Sequence, residues 1–191
     1  MPVRRFIEVY KDRSADALPT DVASVLTPAE RAAFEDVPTA FAGLASRCAV
    51  SSLTRLLKKC STAQLVALEL NAYDDAPLRA YFRFILRDSS PAIRLPDDGA
   101  DLSTFPDVLR DVYSIVGGIQ DDDFRYAGSL WTPTAVCPMT ESMGQLSVEQ
   151  EVPPAECRIF LSSFGGDQFG FHVGTGRAVR WADAEAARPV F

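Results

Sequence analysis

Between residues 158 and 181 the chain reads RIFLSSFGGDQFGFHVGTGRAVRW, with apolar runs at 159–161, 169–173 and 178–181 separated by glycine-rich triplets. Gly165-Gly166-Asp167 and Gly174-Thr175-Gly176 supply the positive backbone angles that tight hairpin turns require. Phe169, Phe171 and Val173 alternate with Gln168, Gly170 and His172, the period of a strand with one face buried. Three such runs joined by turns predict an antiparallel meander at the end of the chain.

The first half reads as helical. Thr27-Pro28-Ala29-Glu30 is a strong helix start, with Thr27 as cap, Pro28 in the first turn and Glu30 completing a capping box. Pro38 breaks the pattern. Phe41, Leu44, Ala45, Cys48, Ser52, Leu56 and Cys60 then fall on one stripe of a long helix, with Lys58 and Lys59 set against its C-terminal dipole. Ser61 with Gln64 caps a further helix through Leu65, Leu68 and Ala72. After Asp74-Asp75-Ala76-Pro77, the spacing of Leu78, Tyr81, Phe82 and Ile85 is helical. Leu78, Ala80, Phe82, Phe84 and Leu86 also alternate as a strand would, and length with the acidic, proline-bearing start tips this reading towards helix.

Residues 88–104 are rich in Ser, Pro, Asp and Gly and divide the chain into a helical region over 1–88 and a second domain over 89–191. A helix capped by Ser103 or Thr104 follows, with Pro106 in its first turn, Phe105, Val108, Leu109, Val112 and Val116 as its buried stripe, and Gly117-Gly118 ending it. Residues 130–137 form a strand that Pro133 confines to an edge or bulge, and 140–156 read as loop with one short helical turn. Helices first and antiparallel strands last describe an α+β chain.

The balance of 19 basic against 26 acidic residues, a formal charge of −7, disfavours direct nucleic-acid binding, which needs a basic surface to displace counterions from phosphate. It suits a basic protein partner. The charged N-terminus lacks the apolar core of a signal peptide and no apolar run approaches a membrane span, so a cytoplasmic protein is expected. Cys48, Cys60, Cys137 and Cys157 show no CxxC pair and no metal-ligand rhythm, and read as buried thiols.

His172 is the one histidine and lies on the more polar face of its strand, without an evident partner to orient it as a base. Nucleophile-elbow, HExxH and phosphate-loop patterns are absent. Asp121-Asp122-Asp123 is the best case for a metal, yet it lacks the alternating ligands and central glycine of a calcium loop, and a solvated acidic turn is the simpler reading. No catalytic residue, cofactor or metal ligand is assigned. Recognition remains: Trp131, with Phe124, Tyr126 and Trp181, lies in the strand region near the three aspartates. Rings supply buried area and acids supply orientation for a basic partner, so Asp121, Asp122, Asp123 and Trp131 form the expected contact patch.

Two segments resemble the SUKH superfamily, which includes bacterial immunity proteins and fungal cell-wall regulators. One is Leu95-Pro96 with the helix over 105–116 and its closing Gly117-Gly118. The other is Ile159-Phe160, then Gly165-Gly166-Asp167-Gln168-Phe169-Gly170-Phe171 and the turn into Val179. Together they span about residues 90–181. The resemblance implies a SUKH-like α+β domain that binds without catalysis: a bacterial, cytoplasmic immunity protein covering the active site of a cognate toxin. A nucleic-acid-acting toxin is basic, and a negative inhibitor surface would complement it. The alternative within the same fold is a regulatory or scaffolding interaction module.

Overall fold

Thr27 Oγ1 accepts from Glu30 N at 3.2 Å and Glu30 Oε2 accepts from Thr27 N at 2.8 Å, closing the expected capping box. The computed structural model describes residues 7–10, 20–71, 79–87, 89–96, 99–121, 129–143, 152–163, 167–181 and 188–189. It divides into two units, Met1–Leu95 and Pro96–Phe191, each mixing helices with antiparallel strands. The chain is α+β.

The first unit runs β1 (Ile7–Tyr10), α1 (Thr20–Val25), α2 (Pro28–Glu35), α3 (Val37–Arg47), α4 (Ser51–Thr62), β2 (Gln64–Asn71), β3 (Arg79–Ile85) and β4 (Pro91–Arg94). Its strands pair in the order β1-β2-β3-β4. Phe41 of α3 meets Phe82 and Phe84 of β3 edge-on, with ring centroids 5.7 and 4.7 Å apart, which seats the helix on the sheet.

The long helix is two. α3 ends at Arg47, Cys48 is extended, and Thr54 Oγ1 donates to the carbonyls of Cys48 and Val50 at the α4 start. The break rotates the buried stripe, so α4 buries Leu53, Leu57 and Cys60 while Ser52 is exposed. Ser61 lies at the end of α4 instead of capping a new helix, and 64–71 is strand β2. Residues 79–85 are also strand: the alternation of Ala80, Phe82 and Phe84 decides over the helical spacing. The 88–104 stretch contains β4, whose four residues are all buried.

The second unit runs α5 (Asp107–Ile115), β5 (Gly118–Asp121), β6 (Ser129–Leu130), β7 (Cys137–Pro138), α6 (Met139–Met143), β8 (Cys157–Ser162), β9 (Gln168–His172), β10 (Ala178–Trp181) and β11 (Arg188–Pro189). The meander is present: β8, β9 and β10 pair antiparallel in sequence, and Gly176 takes the positive φ of 68° its turn needs. Gly165 and Gly166 lie outside the described residues. The 130–137 strand is split by a 3-10 turn at Pro133–Ala135 into β6 and β7, both pairing with β8.

Pairing of Arg158 with Phe171 and of Ile159 with Gly170 sorts this sheet into two faces. On one, Phe171 meets Phe105, two residues before α5, at 5.6 Å, and Phe105 meets Tyr113 of that helix at 5.4 Å. On the other, Cys157, Ile159, Val179 and Trp181 form a buried cluster with Met139 of α6. One face thus meets the segment that leads into α5, and the other meets α6. In α5 the buried residues are Leu109, Tyr113 and Ile115, whereas Val108 is 64% exposed, contrary to the expected stripe; neither Ser103 nor Thr104 caps it.

All four cysteines are free thiols, but only Cys60 and Cys157 are buried. Burial pushes the Cys60 thiol up to about 12, against the opposing pull of Lys59, and raises Cys157 as well. At pH 8 a thiol with that value is thiolate in only about one molecule in ten thousand. N-ethylmaleimide at pH 8 is therefore expected to leave Cys60 and Cys157 unmodified in the native protein, and to label all four cysteines in urea, as peptide mass spectrometry would show. Native labelling of Cys60 at the unfolded rate would contradict its placement.

Candidate functional site

Antiparallel pairing of β5 with β6, Ile119 opposite Leu130, positions two of the four expected contact residues. Asp121 closes β5 and Trp131 follows β6. They are about three residue steps apart along this ribbon, roughly 10 Å at the usual strand rise. Asp122 and Asp123 lie outside the described residues, as do Phe124 and Tyr126.

Trp131 is half-buried and fixed. Its backbone N–H donates to Phe160 O at 2.8 Å, its carbonyl accepts from Tyr113 Oη at 2.8 Å, and its Nε1 donates to Ser162 Oγ at 3.1 Å. Its ring packs against the Met139–Trp181 cluster. Burial raises the Tyr113 phenol, keeping it a proton donor to that carbonyl. A ring held this way presents its remaining edge without losing side-chain entropy on contact, the property of a rigid anchor. Trp181 is wholly buried and belongs to the core.

His172 has an orienting partner that the sequence reading missed. Cys157 pairs with His172 across β8 and β9, which brings the preceding Glu156 within 2.8 Å of His172 Nε2. The other ring nitrogen, Nδ1, accepts from Thr175 N at 3.2 Å and lies 3.3 Å from Thr175 Oγ1. Hydroxyl, imidazole and carboxylate thus stand in the order of a nucleophile, base and orienting acid. The Nδ1 lone pair, however, already receives the Thr175 amide proton, and the same turn is tied by Gly176 N to His172 O at 2.8 Å. The imidazole braces the β9–β10 turn. The antiparallel register of the meander was the signal that could have found Glu156.

Charge is divided unevenly between the units. Residues 1–95 carry 13 basic and 11 acidic side chains, a net +2; residues 96–191 carry 6 and 15, a net −9. On α5, Asp107 and Asp111 are exposed on either side of Val108, with Arg110 paired to Asp107. Just upstream, the hydrogen bonds of Ser103 hold the Asp101 carboxyl below the usual range, so it stays ionised.

Comparison with protein-family models, curated proteins and solved structures gives no match for the chain.

Among the described residues no three His, Cys, Asp or Glu side chains gather as metal ligands, and no helix is long and apolar enough to cross a membrane. What the second unit offers is a net charge of −9 in its sequence and, among its described residues, a half-buried Trp131 held by hydrogen bonds to Phe160, Tyr113 and Ser162.

Proposed function

We propose that this chain is a non-catalytic immunity-type protein that binds and neutralises a basic cognate toxin inside a bacterial cell. The observation that carries the reading is the concentration of negative charge in the second unit, net −9. A surface of that sign steers a cationic partner and disfavours nucleic acid. The SUKH-like segments fall mostly in the same unit. Asp121, Asp122 and Asp123, with Trp131, are the proposed contact patch; the acids set orientation and the ring supplies area.

Two measurements test it. Co-expression should protect a bacterial host from the toxin encoded beside this chain. Replacing Asp121, Asp122 and Asp123 together by lysine should weaken toxin binding about 10- to 100-fold and flatten its salt dependence. Unchanged affinity and salt slope would remove the three aspartates from the interface.

A second reading, a regulatory or scaffolding module, is favoured by the cationic face of α4 described below, which one acidic-surface inhibitor does not require. Stable binding to a non-toxin partner, without protection in the co-expression assay, would select it.

A further inference from the structure

In an acidic protein, α4 presents an outward face with no acid on it. Arg55, Lys58 and Lys59 are exposed, and at 100° per residue they fall within about a quarter of the helix circumference. Exposed Arg87 follows β3. Among the described residues none of these four cations has an ion-pair partner. Favourable placement near the C-terminal dipole explains Lys58 and Lys59. It does not explain Arg55, one turn earlier, or Arg87, outside the helix.

A groove of about 360 Å³ joins the two elements, lined by Lys59, Thr62, Ala63, Ile85, Leu86, Arg87 and Ser89. Its charge is of one sign. The Lys59 ammonium and the Arg87 guanidinium have no acceptor among the described side chains, the Ser89 hydroxyl can donate or accept, and the Thr62 hydroxyl spends its proton on Lys58 O and Lys59 O. Its apolar part is exposed. Ile85 is 61% accessible, the one residue of β3 facing solvent to that degree.

We propose that this groove binds an acidic peptide segment of a protein partner, with carboxylates on Lys59 and Arg87 and an apolar side chain against Ile85. A guanidinium and an ammonium flanking an aliphatic surface match a chain that alternates acid and hydrophobe. Nucleic acid fits less well: it would need more cations than a unit of net +2 supplies, and stacking surfaces that an isoleucine does not provide. All the residues that line it belong to the first unit.

The probe is a fluorescein-labelled peptide of alternating Glu and Leu, followed by anisotropy. A Gln-for-Glu version and a single-stranded RNA of equal charge are the comparison probes. The acidic peptide should bind, with affinity falling as salt rises. Lys59→Glu with Arg87→Glu should weaken it about tenfold or more, and Ile85→Ser about threefold. The thermal midpoint should stay unchanged for Ile85→Ser and fall by only about 2–4 °C for the charge reversal, from the anion placed at the α4 C-terminus. Arg31→Glu with Arg47→Glu, which reverses exposed cations on α2 and α3, should leave binding within about twofold. Absence of binding, equal loss in the control pair, equal binding of the Gln peptide, or tighter binding of the RNA would each overturn the proposal.

Discussion

Gly170→Ala is expected to destabilise the second unit by about 3 kcal/mol, the upper end of what overpacking costs. Gly170 lies in the middle of β9, paired with Ile159 on one side and Val179 on the other. A methyl group there would sit 2.3 Å from Arg158 O and 3.1 Å from Trp181 Cζ3. The first is backbone of a paired strand and the second belongs to a wholly buried indole, so neither can yield by rotating a free side chain. The β8 register already shifts between Ile159 and Leu161, leaving little slack for a further displacement. For a chain of this size the thermal midpoint should fall by roughly 6–12 °C. Gly43→Ala supplies the opposite sign. Gly43 is an exposed position within α3 with nothing within 4 Å of an added methyl, so stability should rise by about 0.5–1 kcal/mol. If Gly170→Ala melted with the wild type, the close approach of β8 to β9 would be wrong.

That glycine shows why the meander was legible. Gly176 takes a positive φ in the β9–β10 turn, and Gly170 makes a close approach that leaves no room for a Cβ. Gly174, expected to share that angle, does not take it, and Val173, expected on the buried face, is exposed beyond the end of β9. The capping box at Thr27 was readable for a similar reason: the interaction lies within four residues of sequence. β2 carried no such signal. It buries Leu65, Ala67, Leu68, Glu69 and Leu70, so period-2 alternation is lost, and Leu, Ala and Glu are good helix formers. Pairing on both edges, to β1 and β3, overrides that propensity. In β3 the aromatic run Tyr81, Phe82 and Phe84 was the better guide than the Asp-Asp-Ala-Pro start before it. The break between α3 and α4 depends on hydrogen bonds from Thr54 to Cys48 and Val50, and spacing alone could not distinguish it from one continuous stripe.

The candidate site was legible as composition and less so as geometry. Acidity and Trp131 stood out in the sequence, but the strand register spreads Asp121 and Trp131 along the β5–β6 ribbon. The Glu156–His172 contact needed a pairing across 16 residues, and the cationic groove needed the end of α4 brought beside the end of β3. Such juxtapositions come from strand register and helix packing, which local patterns leave undetermined.

Arg83→Ala is expected to cost the first unit about 3–5 kcal/mol, the range for removing one partner of a buried ion pair. Glu69 of β2 is only 3% exposed, and both of its carboxylate oxygens accept from Arg83 of β3, Oε1 from Nε and Oε2 from Nη2 at 2.8 Å. Arg83 Nη1 also donates to Ser90 O at 2.7 Å, tying β3 to the residue that precedes β4. Removing the guanidinium leaves a buried carboxylate without either donor, and the desolvation of that charge is no longer offset. The pair itself is a different matter. Its attraction is set against the desolvation of two charges, so Glu69→Leu with Arg83→Met, which keeps volume and removes both charges, should recover most of the loss. Urea denaturation of the two variants beside the wild type reads the difference as a shift in midpoint at constant slope. A double variant as unstable as Arg83→Ala would mean that the network fixes strand register through its hydrogen bonds to Ser90 and Glu69, and that the loss is not chiefly one of an unpaired charge.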